Sequence, residues 1–316
     1  MSLVDAHHHV WDLAVRDQPW IAGPPMTPIR RSFRVDDLRP SAHAAGVDAT
    51  VLVQTVTVAA ETPEMLAIAA VDPLVAGVVG WTDLTSPEIS GELARLAACP
   101  GGRHLVGIRH QVQSEPDADW LRRPDVIRGL RAVAAAGLCY DLVVLPHQIA
   151  AATYAATVVP GLTLILDHAG KPPIGADLDA WRAAIRAFAA RPNTACKLSG
   201  LVTEAPPGAP PDAFAPVADV ILEAFGAERM MFGSDWPVCL LARDYAGVVE
   251  LAQRLTAGLS DTERTAVFSS TATRLYGIGA PRSDPTSPSY PTPHAGRPHH
   301  GPAARAEDDH EGFSHL

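Results

Sequence analysis

The chain has 316 residues, 35 of them acidic and 25 basic, for a formal charge of −10. With 47% hydrophobic and 19% charged residues it does not fit a chain disordered throughout, and its length permits one large domain or two modest ones. The acidic balance argues against a protein that holds nucleic acid by neutralising phosphates, and no basic stripe is present to dock on anionic lipid.

In chain order, short runs rich in aliphatic and β-branched residues alternate with stretches rich in Ala, Leu and Arg. Strands are expected over 3–9, 49–54, 75–81, 104–109, 138–144, 162–168, 194–198 and 230–233, and helices over 91–98, 125–136, 180–190, 216–225 and 245–257. Strands that alternate with helices imply parallel pairing, because parallel neighbours need a crossover. Eight such units in this length fit an α/β fold of the (β/α)8 TIM-barrel type, which runs to ~250 residues and carries its active site at the C-terminal ends of the strands. The rival, a doubly wound open sheet, predicts a Gly-rich phosphate turn after the first strand, and here that strand ends in three histidines. The barrel is expected over residues 1–279, and 280–316, mixed in Pro, Ser, His and Asp without apolar periodicity, as a disordered tail.

Cys99, Cys139, Cys196 and Cys239 form no CxxC pair, so four reduced thiols are expected, with Cys196 in the core. Asp5 and the histidines after it do not make a signal peptide, and no apolar run reaches the ~18 residues of a membrane span. The reading is a soluble, cytoplasmic protein acting on a small molecule, without nucleic-acid or membrane partners and with no signature of a particular oligomeric state.

Along the first strand, Val4-Asp5-Ala6-His7-His8-His9, a period of two puts Asp5, His7 and His9 on one face and turns His8 toward a helix. Imidazoles two residues apart near a strand end can meet one cation at ~2.0 to 2.1 Å each, although a purely structural pair of histidines has the same spacing. Later strands also end in polar residues: Asp167-His168-Ala169-Gly170-Lys171-Pro172 after the sixth, Lys197 in the seventh, and Ser234-Asp235-Trp236-Pro237 after the eighth. Asp235 could cap a helix, but beside the first-strand histidines it reads better as a carboxylate that ligates a metal and takes a proton from water. Lys171 and Lys197 are the two lysines among 25 basic residues. Held between Gly170 and Pro172, Lys171 suits a point-charge contact to a substrate carboxylate or carbonyl, the alternative being a surface lysine at a turn. Glu204 could be a pocket acid but reads better as a solvated loop residue, and Trp11, Trp81 and Trp236 as rim residues that could stack on a ring.

The segments VDAHHHVWD, ETPEMLAIA, VGIRHQVQ, YDLVVLPHQ, LILDHAGKPP, CKLSGLVTEA and MMFGSDWPV resemble, in order from about residue 3 to residue 277, the motifs of the amidohydrolase-related family of TIM-barrel hydrolases. Within it they are similar to the branch that includes fuconolactonases and L-rhamnono-lactonases. The resemblance implies His7, His9, His168 and Asp235 as metal ligands, with Arg109, His110, His147 and Lys171 around the substrate. Binuclear members bridge two metals with a lysine or glutamate at the fourth strand; here Arg109 and His110 occupy that region, and a cationic Arg cannot bridge. One divalent ion, zinc by preference, is therefore implied. Some relatives are implied to work without metal, in which case Asp235 would activate water unaided and Arg109 and Lys171 would polarise the substrate. The implied reaction is hydrolysis of a small lactone, a sugar-acid lactone or similar carboxylate-bearing ring, with Asp235 as general base and the metal, Arg109 and His168 stabilising the oxyanion. A metal-dependent decarboxylase of the aminocarboxymuconate-semialdehyde type is the second reading. A catalytically silent ligand-binding barrel is the third, which the convergence of these side chains on strand ends argues against.

Overall fold

A computed structural model describes residues 3–279. The expected domain boundary and the Pro- and His-rich tail beyond it fall outside the described residues. Eight strands, β1 (Leu3–His8), β2 (Val47–Val53), β3 (Val75–Gly80), β4 (Leu105–His110), β5 (Cys139–Leu142), β6 (Leu164–Leu166), β7 (Thr194–Leu198) and β8 (Met230–Phe232), form one parallel sheet in sequence order. Between them run α1 (Val35–Ala44), α2 (Glu61–Val71), α3 (Ile89–Ala98), α4 (Pro124–Ala135), α5 (Ile149–Val158), α6 (Asp179–Ala189), then the short α7 (Leu201–Glu204) and α8 (Ala215–Phe225). After β8 come α9 (Tyr245–Leu255), α10 (Asp261–Thr265) and α11 (Thr271–Tyr276). This is the TIM barrel that the alternating pattern predicts.

The sheet closes on itself through the segment just after β8. Asp235 N donates to the His7 carbonyl at 2.8 Å, and His9 N donates to the Trp236 carbonyl at 2.7 Å. Inside the barrel, small and branched side chains alternate with the outward-facing ones: Val4, Ala6, Val51, Val53, Val79, Val106, Cys139, Ile165, Ala195 and Met231 form one cluster. Ala272, Tyr276 and Ile278 join it, so the C-terminal helix plugs the end of the barrel where the strands begin. The larger core lies between sheet and helices, where α6 buries Trp181, Ile185 and Phe188 on one face. Among the described residues no helix is long and apolar enough to cross a membrane.

The strands are shorter at their C-terminal ends than the apolar runs suggest. β6 stops at Leu166 because the backbone turns left-handed at His168, and β5 stops at Leu142, three residues before the 3-10 turn Pro146–Gln148 begins to form at Leu145. These early exits open the mouth in which the polar side chains meet.

Candidate active site

The structure corrects the face assignment of Asp5. Strand pairing shifts register between Asp5 and His8, so Val4 and Ala6 point into the barrel, and so does His7, without the alternation an unbroken strand would keep. Asp5 instead accepts hydrogen bonds from Ser234 N at 2.8 Å and from the Tyr245 hydroxyl of α9 at 3.1 Å, while burial raises its carboxyl above the ordinary range. The shift is tied to a close approach: a Cβ on Gly233 would lie 2.6 Å from His7 Cβ, so only glycine lets β8 pass there. His8 is fully buried, and burial, aided by His9, lowers its imidazole to about 3, which leaves it neutral.

His7 and His9 reach the mouth together. His9 Nδ1 lies 2.7 Å from the Val53 carbonyl, which can only accept, so Nδ1 carries the proton and Nε2 presents its lone pair. That Nε2 is 3.2 Å from His7 Nε2 and 3.4 Å from Asp235 Oδ1. Asp235 Oδ1 is 3.7 Å from His7 Nε2 and 3.9 Å from His168 Nε2. Ligands ~2.0 to 2.1 Å from a common ion at tetrahedral corners stand roughly 3.3 Å apart; His7, His9 and Asp235 lie near that spacing and could hold a divalent ion, while His168 forms a second such group with His7 and Asp167. Burial acts to raise the Asp235 carboxyl, but the imidazoles of His168, His9 and His7 outweigh it and hold it below the usual carboxylate range. Burial lowers His168. Burial and then the Lys197 ammonium hold His7 well below its usual value.

Beneath these ligands lies an ionic layer that sequence reading resolved only in part. Lys197 is fully buried, with Nζ 2.5 Å from Asp141 Oδ2, 3.0 Å from Asp167 Oδ1 and 3.1 Å from His7 Nδ1. The Tyr276 hydroxyl donates to Asp141 Oδ2 at 2.8 Å, which ties the plug helix to the layer. Burial pushes the Asp141 carboxyl up to about 6 although Lys197 and Tyr276 pull the other way. Burial would raise Asp167 too, but Lys197, His7 and Arg109 hold it well below the carboxylate range. Arg109 spans from Asp167 Oδ2, at 3.0 Å, to Gln54.

His168 arrives by unusual backbone. His168, Ala169, Gly170 and Lys171 all have positive φ, 53°, 51°, 67° and 54°, and Asp235 has 58°. Left-handed conformation costs a non-glycine residue ~1 to 2 kcal/mol, so neighbours must hold this turn. The Trp181 indole donates to the Ala169 carbonyl at 2.9 Å, and Ser199 Oγ sits 3.0 Å from His168 Nδ1. Gly200, itself at φ 64°, has no Cβ that would strike His168 Nδ1 at 2.3 Å.

The ligand set opens into a pocket of about 360 Å³ lined by His9, Arg109, His168, Lys171 and Asp235, by the apolar Trp20, Met26, Val238 and Leu241, and by the polar Gln111, Gln113, Ser114, Thr203 and Glu204. Lys171 lies on the wall, but its ammonium is 2.5 Å from Glu204, the residue expected to be solvated. His110 does not line this pocket: it stacks on Trp120 with ring centroids 4.4 Å apart, accepts at Nδ1 from the Trp81 indole at 3.0 Å, and meets Glu115 at 2.7 Å. His147 is exposed on the 3-10 turn Pro146–Gln148, away from the pocket. Trp11 and Trp236 pack edge-on against Phe33 instead of facing the mouth, and Trp20, which sequence reading passed over, takes the pocket wall. Cys196 is buried in the core as expected, its thiol pushed up by burial.

A family model described as amidohydrolase matches residues 4–278. The chain is 37% identical over 291 residues to an L-fucono-1,5-lactonase of Burkholderia multivorans, an alignment covering 88% of this chain and 97% of that one. A crystal structure of an amidohydrolase from Burkholderia multivorans with bound zinc superposes with a TM-score of 0.82 at 37% identity, covering 88% of this chain and all of that one. A 2,6-dihydroxybenzoate decarboxylase from Rhizobium, 14% identical with a TM-score of 0.59 over 88% of this chain and 99% of that one, shares the fold alone.

Proposed function

Because this chain belongs to the amidohydrolase family and is one of its hydrolases, we propose that it opens a small, uncharged sugar-acid lactone. The observation that carries this reading is the Asp235 carboxylate, held ionised within 3.9 Å of three imidazole nitrogens at the base of a pocket whose wall charges are already paired. A substrate carboxylate would have to displace Glu204 from Lys171 or Asp167 from Arg109. Neutral hydroxyls, in contrast, find Gln111, Gln113, Ser114 and Thr203 in the lining, and a carbon edge finds Trp20 and Met26. The lactonase name of the Burkholderia relative supports the same class of reaction.

In this reading Asp235 accepts a proton from the attacking water as the water oxygen bonds to the lactone carbonyl carbon. The ring C–O bond then breaks, and Asp235 returns the proton to the departing ring oxygen, leaving an open-chain hydroxy acid. Negative charge on the former carbonyl oxygen is offset by the field of Arg109; removing such a stabiliser costs ~10²- to 10³-fold in rate. His7, His9 and Asp235 would hold one divalent ion, zinc by their chemistry, with His168, 3.9 Å from Asp235, as the further ligand; such an ion when bound lowers the pKa of water and polarises a carbonyl.

The test is acid release, followed with a pH indicator, against a panel of neutral aldonolactones and of lactones carrying a free carboxylate. Turnover of neutral members in preference to the carboxylated ones is expected. Release of carbon dioxide from an aromatic or unsaturated acid, without acid release from any lactone, would overturn the reading.

A further inference from the structure

Glu61 opens α2, where an acidic residue is ordinarily explained by the positive end of the helix dipole. Its carboxylate does not stay with its own helix. Only 5% exposed, Glu61 reaches back to the turn after β2, where Oε1 accepts from Thr55 N at 2.9 Å and from the Thr55 hydroxyl, and Oε2 accepts from Val56 N at 3.1 Å. The base from which it reaches is fixed: the Thr62 hydroxyl accepts from Trp81 N at 2.7 Å and donates to the Trp81 carbonyl at 2.8 Å, which ties the start of α2 to the end of β3.

The two amides that Glu61 holds belong to consecutive peptide planes. In a trans peptide the N–H and the C=O point to opposite sides of one rigid plane, so a grip on the N–H aims the carbonyl. The carbonyl that shares a plane with Thr55 N is that of Gln54, and it accepts from Arg109 Nη2. The carbonyl that shares a plane with Val56 N is that of Thr55, and it accepts from Gln111 Nε2 at 2.8 Å. Thr55, Arg109 and Gln111 line the pocket, and Glu61 lies outside it. We propose that Glu61 is a positioning residue: by holding both peptide planes from behind, it sets the guanidinium of Arg109 and the amide of Gln111 for the substrate. The inference rests on the reading that this pocket takes a neutral lactone, with Gln111 offering the rest of its amide to a hydroxyl and Arg109 its field to the oxyanion.

The experiment measures kcat and KM for a neutral aldonolactone in the full-length protein, in Glu61→Gln, in Gln111→Ala and in the double variant. Glu61→Gln keeps the shape but sets an NH2 group against a backbone N–H, so one plane must turn. KM should rise and kcat fall until kcat/KM is ~10-fold lower or more, as for groups displaced by part of the ~1 Å that can cost ~10²-fold. In the Gln111→Ala background the same substitution should change KM by less than ~3-fold while still lowering kcat through Arg109, because residues that act in series do not add. A purely structural Glu61 would multiply KM by the same factor in both backgrounds or leave it at the parental value, and either result overturns the proposal. Glu61→Asp, which keeps the charge on a side chain one carbon shorter, carries the same test if the Gln variant does not fold. Failure of the parent to open any lactone overturns the lactone reading and this inference with it, whereas turnover by the parent with additive effects on KM overturns the inference alone.

Discussion

The two ends of the barrel interior are made of opposite materials. Where the strands begin, Val4, Val51, Val106 and Ala195 share an apolar cluster with Tyr276 and Ile278 of the plug. Where the strands end, Asp141, Asp167, Lys197 and Arg109 are as deeply buried, yet they are held by ion pairs between residues 30 or more positions apart. Burial of charge is costly unless each member is paired, so the floor stabilises the fold while the mouth spends stability to orient His7 and Asp235. Changes at the mouth should therefore act on rate out of proportion to stability, and changes at the floor the reverse.

The largest effect is expected from Asp235→Asn, which keeps shape and removes both base and anionic ligand. Its kcat should fall by ~10²- to 10⁴-fold with a melting temperature close to the parent's. Retention of parental kcat would place the base elsewhere. Next is Gly200→Ala, which drives a methyl against His168 from a residue at φ 64°. A displaced catalytic group costs ~10²-fold in kcat, and the left-handed backbone adds ~1 to 2 kcal/mol of destabilisation, both readable from kinetics and a urea melt on one preparation.

Lys171→Met sharpens the boundary between wall and mouth. The Lys171–Glu204 pair is about one-fifth exposed on each side, so the substitution should change KM for a neutral lactone by less than ~5-fold, as for a screened pair. A much larger rise in KM would mean that the ammonium leaves Glu204 for the substrate.

The smallest effects on rate belong to the floor and distinguish its two kinds of contact. Val106→Ala should cost ~1 to 3 kcal/mol in a denaturant melt with kcat unchanged. Tyr276→Phe removes a donor to Asp141, whose folded carboxyl titrates near 6 against 3.8 for the ordinary group. Between those values the folded chain holds the extra proton, so the contribution of Asp141 to stability falls as pH rises and its penalty is complete above about 6. Loss of the tyrosine donor deepens that penalty, so the melting temperatures of parent and variant should lie closer at pH 4.5 than at pH 8. A constant gap would show that the hydroxyl does not act through the Asp141 carboxylate.

Much of this was legible in the residues. Apolar runs of strand length separated by helical stretches gave the barrel, and polar residues at the ends of those runs brought His7, His9, His168 and Asp235 to one place. The face of Asp5 was not legible, because a period of two holds only in an unbroken strand and the pairing of β1 with β2 shifts register after Asp5. Asp141 was hidden inside an apolar run, YDLVV, although that placement was itself the available signal: a carboxylate in a barrel strand must be paired, and Lys197 in CKL is the natural partner. Trp20, His110 and His147 depended on how the loops lie, which no local pattern specifies.

The seam that closes the barrel has one more consequence. Asp235 and His9 are linked across it by their own amides, to the carbonyls of His7 and Trp236. The spacing between base and imidazoles is thus a property of main-chain closure, and any fluctuation that parts the seam disarms the enzyme before it unfolds it. Deuterium exchange at the Asp235 and His9 amides should accordingly track loss of activity on warming, with protection of the floor strands persisting to higher temperature.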